Sequence, residues 1–248
     1  MNSRTENSTT VNSLSGKVVV VAGAAGAAGP PAVAALVQRG ATVVAIDNSD
    51  ERLDAVVVAG VDAGANGGSV EPLVVDLLDD EATRSAMADV IARHGRIDGL
   101  FHLVGGWRGG KGIVESDLAD WALLHDLLIR TLQHTTRAVH DAVRDAGGRI
   151  AIVSTTQAQA PNAKNASYAA AKAAAEAWTL AVADSFTESE AAAVIVQIKA
   201  LLTDQMKADR PDRTFPGYTH VDDLAVELAG LFDAPAAELN GARRSLTP

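Results

Sequence analysis

Residues 17–31, KVVVVAGAAGAAGPP, decide how this chain is read. The four valines form a short β-branched run of the kind buried inside a parallel sheet. Gly23, Gly26 and Gly29 follow at intervals of three. Pro30 and Pro31 suit the first turn of a helix, where a missing N–H is no loss. The stretch is a strand, a glycine turn and a helix start. Glycine lets such a turn bend sharply and lets a pyrophosphate approach the backbone, while the helix behind it offers free N–H groups and the positive end of its dipole. The spacing is G-x-x-G-x-x-G rather than the G-x-G-x-x-G of the usual dinucleotide turn. In a chain this rich in alanine and glycine, a ligand-free tight turn would look the same.

The alternation continues along the chain. ATVVAID (41–47), part of 68–76, IDGLFHLVG (97–105), RIAIVS (149–154) and AAAVIVQIKA (191–200) read as strands. Segments 29–40, 49–60, 80–95, one long stretch 116–148, the alanine-rich 166–178 and 221–232 read as helices. Strands alternating with helices predict an α/β fold: a single doubly wound parallel sheet of about seven strands with helices on both faces. An eight-stranded barrel is the competing architecture at this size, and the glycine turn decides against it.

Residues 1–14 are polar and predict a flexible N-terminal tail; 15–248 reads as one domain, with no linker rich enough to divide it. Apolar residues make up 48% of the chain, enough for a sizeable core. The net charge of -10 makes nucleic acid a poor partner. No apolar stretch of membrane-spanning length is free of charges and turns, so no membrane association is expected. With no cysteine there are no disulfides and no thiolate chemistry, which fits the cytoplasm. The six histidines lack metal-ligand spacing, so no metal site is expected.

Two groups of residues suggest chemistry. Asp47 ends the second strand, 24 residues after Gly23, where an acid accepts hydrogen bonds from an adenosine ribose and repels a 2′-phosphate. No Arg or Lys is adjacent to it in sequence, and Arg52 lies a helical turn on, so the residues favour NAD, with NADH preferred over NADPH. Asp76, at the end of the third strand, is either a further cofactor ligand or a helix cap. Tyr168 and Lys172 stand four apart in NASYAAAKAAAEAW (165–178), on one face of a helix.

With the glycine turn, Asp47, the YAAAK pair and a Ser/Thr-rich end to strand five, the chain resembles the short-chain dehydrogenase/reductase family over roughly residues 15 to 200. The resemblance implies a Rossmann-like fold and interconversion of a carbonyl and an alcohol on a small organic substrate. Tyr168 is then the acid/base. Lys172 lowers the tyrosine pKa and holds the nicotinamide ribose, and a hydroxyl from Ser154 or Thr155 steadies the substrate oxygen. Gly105 keeps a close approach to the cofactor, and Thr203 takes the place of the threonine that bonds the nicotinamide amide.

Three features depart from the family pattern. HLVG (102–105) replaces Asn-Asn-Ala-Gly, so His102 is either a group near the nicotinamide or, as the plainer reading, a packed strand-end histidine. Leu128 stands where the family's long helix carries a relay asparagine. The Pro-Gly after strand six is absent, and 206–219 is short for a lid, which implies a cleft that is open or closed by a neighbouring subunit. Trp107, Arg108 and Lys111 in GGWRGGKG, and Gln157, Gln159 and Asn162 ahead of the tyrosine, are either pocket-lining or merely solvated; Trp107 and Gln157 are taken as substrate candidates. The alanine faces of helix 166–178 imply a homo-oligomer, tetramer or dimer. The alternative function is a nucleotide-binding relative without redox activity, either a regulatory subunit or a non-redox lyase.

Overall fold

Alternate valines of the opening run face opposite layers. The computed structural model describes residues 14–63 and 66–247. Residues 1–13 of the expected tail lie outside the described residues; Leu14 is buried in the core and its amide bonds Arg39 O. In β1 (Val18–Ala22), Val19 and Val21 pack on one face of the sheet and Val18 and Val20 on the other. Both faces are buried, so the strand is continuously apolar rather than alternating.

The remaining sheet strands are β2 (Thr42–Asp47), β3 (Ser69–Val74), β4 (Gly99–His102), β5 (Arg149–Thr155) and β6 (Ala192–Ile198). Two short strands, β7 (Leu201–Leu202) and β8 (Thr219–His220), pair only with each other, and β9 (Arg243–Ser245) closes the main sheet. The order is β3-β2-β1-β4-β5-β6-β9, parallel throughout. The chain reverses direction across the sheet between β1 and β4, and a crevice opens there outside the strands' carboxyl ends.

One layer contains α1 (Gly29–Gln38), α2 (Asp50–Ala63), α8 (Val221–Gly230) and α9 (Ala236–Leu239). The other contains α3 (Asp80–His94), α5 (Thr131–Asp145) and α6 (Ala166–Ser185). α4 (Leu118–His125) precedes α5, and α7 (Asp204–Asp209) follows β7. Gly95 ends α3 in the left-handed region at φ 74°, as the stop expected there.

Three elements differ from expectation. The long helix is interrupted at Asp126–Arg130 by a π turn, which rotates α4 toward α6 while α5 packs on α3 and β4. α6 continues to Ser185, past the expected end at 178, because nothing in LAVADS breaks a helix. The seventh strand, β9, comes from Arg-Arg-Ser, whose charge gives no apolar signature because it is an exposed edge.

Candidate active site

The glycine turn has the shape its spacing implies. Gly23 has φ +79°, and a Cβ there would lie 2.7 Å from Val104 N. A Cβ on Gly29 would lie 1.9 Å from Ala24 O, so this glycine is required where helix and turn meet. Gly26 is less crowded from within the protein, 3.2 Å from Gly23 O, and lines the cleft. The amides of Ala27 and Ala28, also on the cleft wall, have no acceptor within the protein. Two free N–H groups ahead of a helix, beside a glycine on the cleft wall, suit an oxyanion pair such as a pyrophosphate.

Asp47 is buried at the end of β2 and accepts the amides of Ala25 (3.2 Å) and Asn48 (2.9 Å). Arg52 folds back from the first turns of α2 to pair with it, although it is not adjacent in sequence. Asp76 lies beyond the end of β3, lines the same cleft and turns the Leu78 amide at 3.0 Å. The cap of α3 is Asp79, so Asp76 does not serve that role.

The cleft, about 1100 Å³, runs from this turn to α6 and also contains His102, Gly105, Trp107, Ser154, Gln157, Tyr168 and Lys172. Lys172 Nζ lies 6.0 Å from the Tyr168 ring centroid and donates to Val153 O at 2.7 Å. Burial lowers the Lys172 pKa to about 8, opposed by the Glu176 carboxylate. Burial also raises the Tyr168 phenol above its ordinary value. Burial thus opposes the depression expected from Lys172.

The hydroxyls at the end of β5 are oriented by strand alternation. Ser154 faces α6 and donates to Glu176 Oε1 at 2.6 Å, so its proton is committed to a carboxylate. Thr155 points to the other side, is buried, and accepts the Gln157 amide at 3.4 Å as the cap of a short 3-10 turn. Gln157 carries its side chain into the cleft wall, and its buried Oε1 has no partner.

Glu176 was not evident from the sequence. It lies one turn beyond Lys172, is 2% exposed, and also accepts Gln197 Nε2 (3.2 Å) and Arg243 Nε (2.8 Å). The series 168, 172, 176 marks one helix face, which was the available signal.

His102 is 4% exposed, with Nε2 on Thr131 Oγ1 and Nδ1 on Thr135 Oγ1, both 3.1 Å. Burial and the Lys172 charge push it down to about 3, so it is a neutral link between β4 and α5. Leu128, within the π turn, is buried in a cluster with Ala171, against which Tyr168 packs. Gly105 lines the cleft without crowding, since a Cβ would meet Leu128 at an ordinary 3.6 Å. Trp107 is half exposed on the wall, and Arg108 lies 4.0 Å from Asp120. Thr203 caps α7 through the Met206 amide and is not on the cleft wall. Among the described residues no cluster of His, Asp or Glu could hold a metal ion, and no helix is long and apolar enough to cross a membrane.

Comparison with known proteins agrees with this fold. The short chain dehydrogenase family model matches residues 17–214. A 3-oxoacyl-acyl-carrier-protein reductase of Thermotoga maritima is 30% identical over 161 residues, 64% of each chain. An uncharacterised NAD-dependent oxidoreductase of Mycobacterium tuberculosis is 29% identical over 228 residues, 84% of this chain and 81% of that one. The chain spans between about half and two thirds of the length of several curated relatives it matches. A short-chain type dehydrogenase/reductase from Mycobacterium ulcerans superposes with a TM-score of 0.86 at 22% identity, over 94% of this chain and 89% of that one.

Proposed function

The chain belongs to the short-chain dehydrogenase family, and on that premise we propose that it is an NAD(H)-dependent oxidoreductase interconverting a carbonyl and an alcohol on a small organic substrate. The observation that carries this is one cleft with the free amides of the glycine turn at one end and Tyr168 with Lys172 at the other.

When bound, the nicotinamide supplies or accepts the hydride. The Ala27 and Ala28 amides hold the pyrophosphate, and Asp47 takes the adenosine ribose. Asp47 keeps an anionic wall where a 2′-phosphate would sit, which supports NADH over NADPH even with Arg52 paired to it. In the reducing direction the Tyr168 O–H bond breaks and its proton goes to the carbonyl oxygen; oxidation reverses this. The Lys172 ammonium offsets the phenolate that remains, and below pH about 8 it carries the charge needed. With one N–H on Val153 O, it has two donors left for the nicotinamide ribose. Of the polar groups leaving β5, Gln157 lines the wall with an amide Nε2 that donates to nothing within the protein, and that N–H steadies the substrate oxygen, the role expected of Ser154 or Thr155. A homo-oligomer forms over the alanine face of α6, where Ala166, Ala169, Ala170 and Ala173 line a shallow groove beside exposed Ile113; light scattering of the purified protein checks this.

The test is deuteride transfer from C4-deuterated NADH to a carbonyl panel, with Tyr168→Phe alongside. Deuterated alcohol from the wild type and none from Tyr168→Phe, with cofactor affinity retained, is expected. Full activity in Tyr168→Phe would exclude the acid/base assignment. The apolar Leu128 favours one rival, a binding protein or lyase without hydride transfer; NADH binding with no deuterium transfer to any carbonyl would select it.

A further inference from the structure

Every guanidinium among the described residues is bonded to a carboxylate or a carbonyl, apart from those of Arg210 and Arg213. Lys111 and Lys164 are also exposed without an anion, but neither lines the cleft. Arg210 and Arg213 both line it. Asp209 and Asp212, their neighbours in sequence, form no ion pair with either, and Asp209 takes the Gln205 amide instead.

The segment carrying them is braced. Lys199, just past β6, crosses to Pro216 O at 2.7 Å. Arg213 stacks 5.2 Å from the Phe215 ring, and Phe215 meets Tyr218 edge-on at 5.4 Å. Tyr218, Leu201 and Trp107 add apolar surface to the same cleft. The glycine turn lies at the tip of β1, three strands from β6, roughly 14 Å at the usual strand spacing. The cofactor's phosphates have their own donors in the Ala27 and Ala28 amides.

We infer that the substrate is an organic anion, an oxo or hydroxy carboxylate with an apolar body, whose carboxylate is held by Arg210 and Arg213 while its carbonyl faces Tyr168. This rests on the oxidoreductase reading. A planar guanidinium accepts a carboxylate through two parallel N–H bonds, a geometry a neutral ketone cannot use.

The experiment compares oxo carboxylates of increasing chain length with their methyl esters, using NADH and the full chain. The wild type and the Arg210→Ala, Arg213→Ala double variant are measured at low and high salt. For the wild type, kcat/KM favours the acid over its ester by on the order of tenfold or more, and salt erodes that preference. In the variant KM for the acid rises toward that of the ester, with kcat for the ester and the Kd for NADH unchanged. Equal rates for acid and ester in the wild type would overturn the inference. So would a weakened Kd for NADH in the variant with unchanged KM, which would give the guanidiniums to the cofactor's phosphates. If no acid is turned over, calorimetry with the same acids decides the anion site alone, while the deuteride-transfer test decides the redox reading: binding to the wild type and not the variant upholds the anion site, and binding to neither overturns it.

Discussion

Replacing Glu176 with Ala removes one acceptor from three donors. Ser154 Oγ and Gln197 Nε2 are buried and would be left unsatisfied, at ~1–3 kcal/mol each. Arg243 has a side chain 35% exposed and rehydrates, so its lost pair adds about 1 kcal/mol or less. The gain in helix propensity from Ala returns a few tenths of a kcal/mol, ~0.4. The net is ~2–6 kcal/mol, which for a chain of this size lowers Tm by roughly 4–24 °C. Glu176→Gln keeps the shape and one acceptor oxygen, so it loses less. A second readout separates charge from packing. The Glu176 carboxylate supports the Lys172 ammonium, so both variants let the Lys172 pKa fall further below about 8. The alkaline limb of kcat/KM then moves to lower pH in both, although only Ala loses much stability. Thermal melts and pH–rate profiles of the three proteins are the assay. An Ala variant melting with the wild type, or an alkaline limb unmoved in both variants, would refute the role given to this carboxylate.

Gly29→Ala forces a Cβ to 1.9 Å from Ala24 O and is expected to yield little folded protein, whereas Gly26→Ala folds, by circular dichroism, and loses NADH affinity. His102, held near 3 when folded and near 6.5 when unfolded, contributes stability that is present above 6.5 and lost as pH falls toward 3. Urea unfolding at pH 7 and 4.5 should show up to ~3 kcal/mol of acid sensitivity from this group, absent in His102→Gln; an identical pH dependence in that variant would remove the assignment. Gln157→Leu should lower kcat/KM by about tenfold or more with NADH affinity intact, while Ser154→Ala should act chiefly on Tm.

The parts of the site that were legible are those encoded at short range. Gly23, Gly26, Gly29 and Asp47 belong to one strand-turn-helix-strand unit, and Tyr168 and Lys172 to one helix face, so spacing alone brings each group together. That Ser154 and Thr155 face opposite layers follows from the two-residue strand period, but only the structure shows which layer holds a carboxylate. Arg52, Glu176 and the pair Arg210 and Arg213 were less visible for a common reason. A charged residue in sequence looks solvated until its neighbour in space is known, and Glu176 finds Arg243 67 residues away. The π turn was hidden because Asp126–Arg130 contains no Pro or Gly to mark it. β9 was hidden because a three-residue edge strand lacks an apolar pattern.

The central claim is that this cleft binds NADH and uses Tyr168 to move a proton beside it. The most direct measurement is calorimetric titration of the purified protein with NADH and, separately, NADPH, on the wild type and Gly26→Ala. The account predicts saturable one-site binding of NADH, NADPH weaker by about tenfold or more, and loss of both in Gly26→Ala. No binding of either cofactor to the wild type would contradict it, and Tyr168 and Lys172 would then be two residues on a helix with no hydride to work beside.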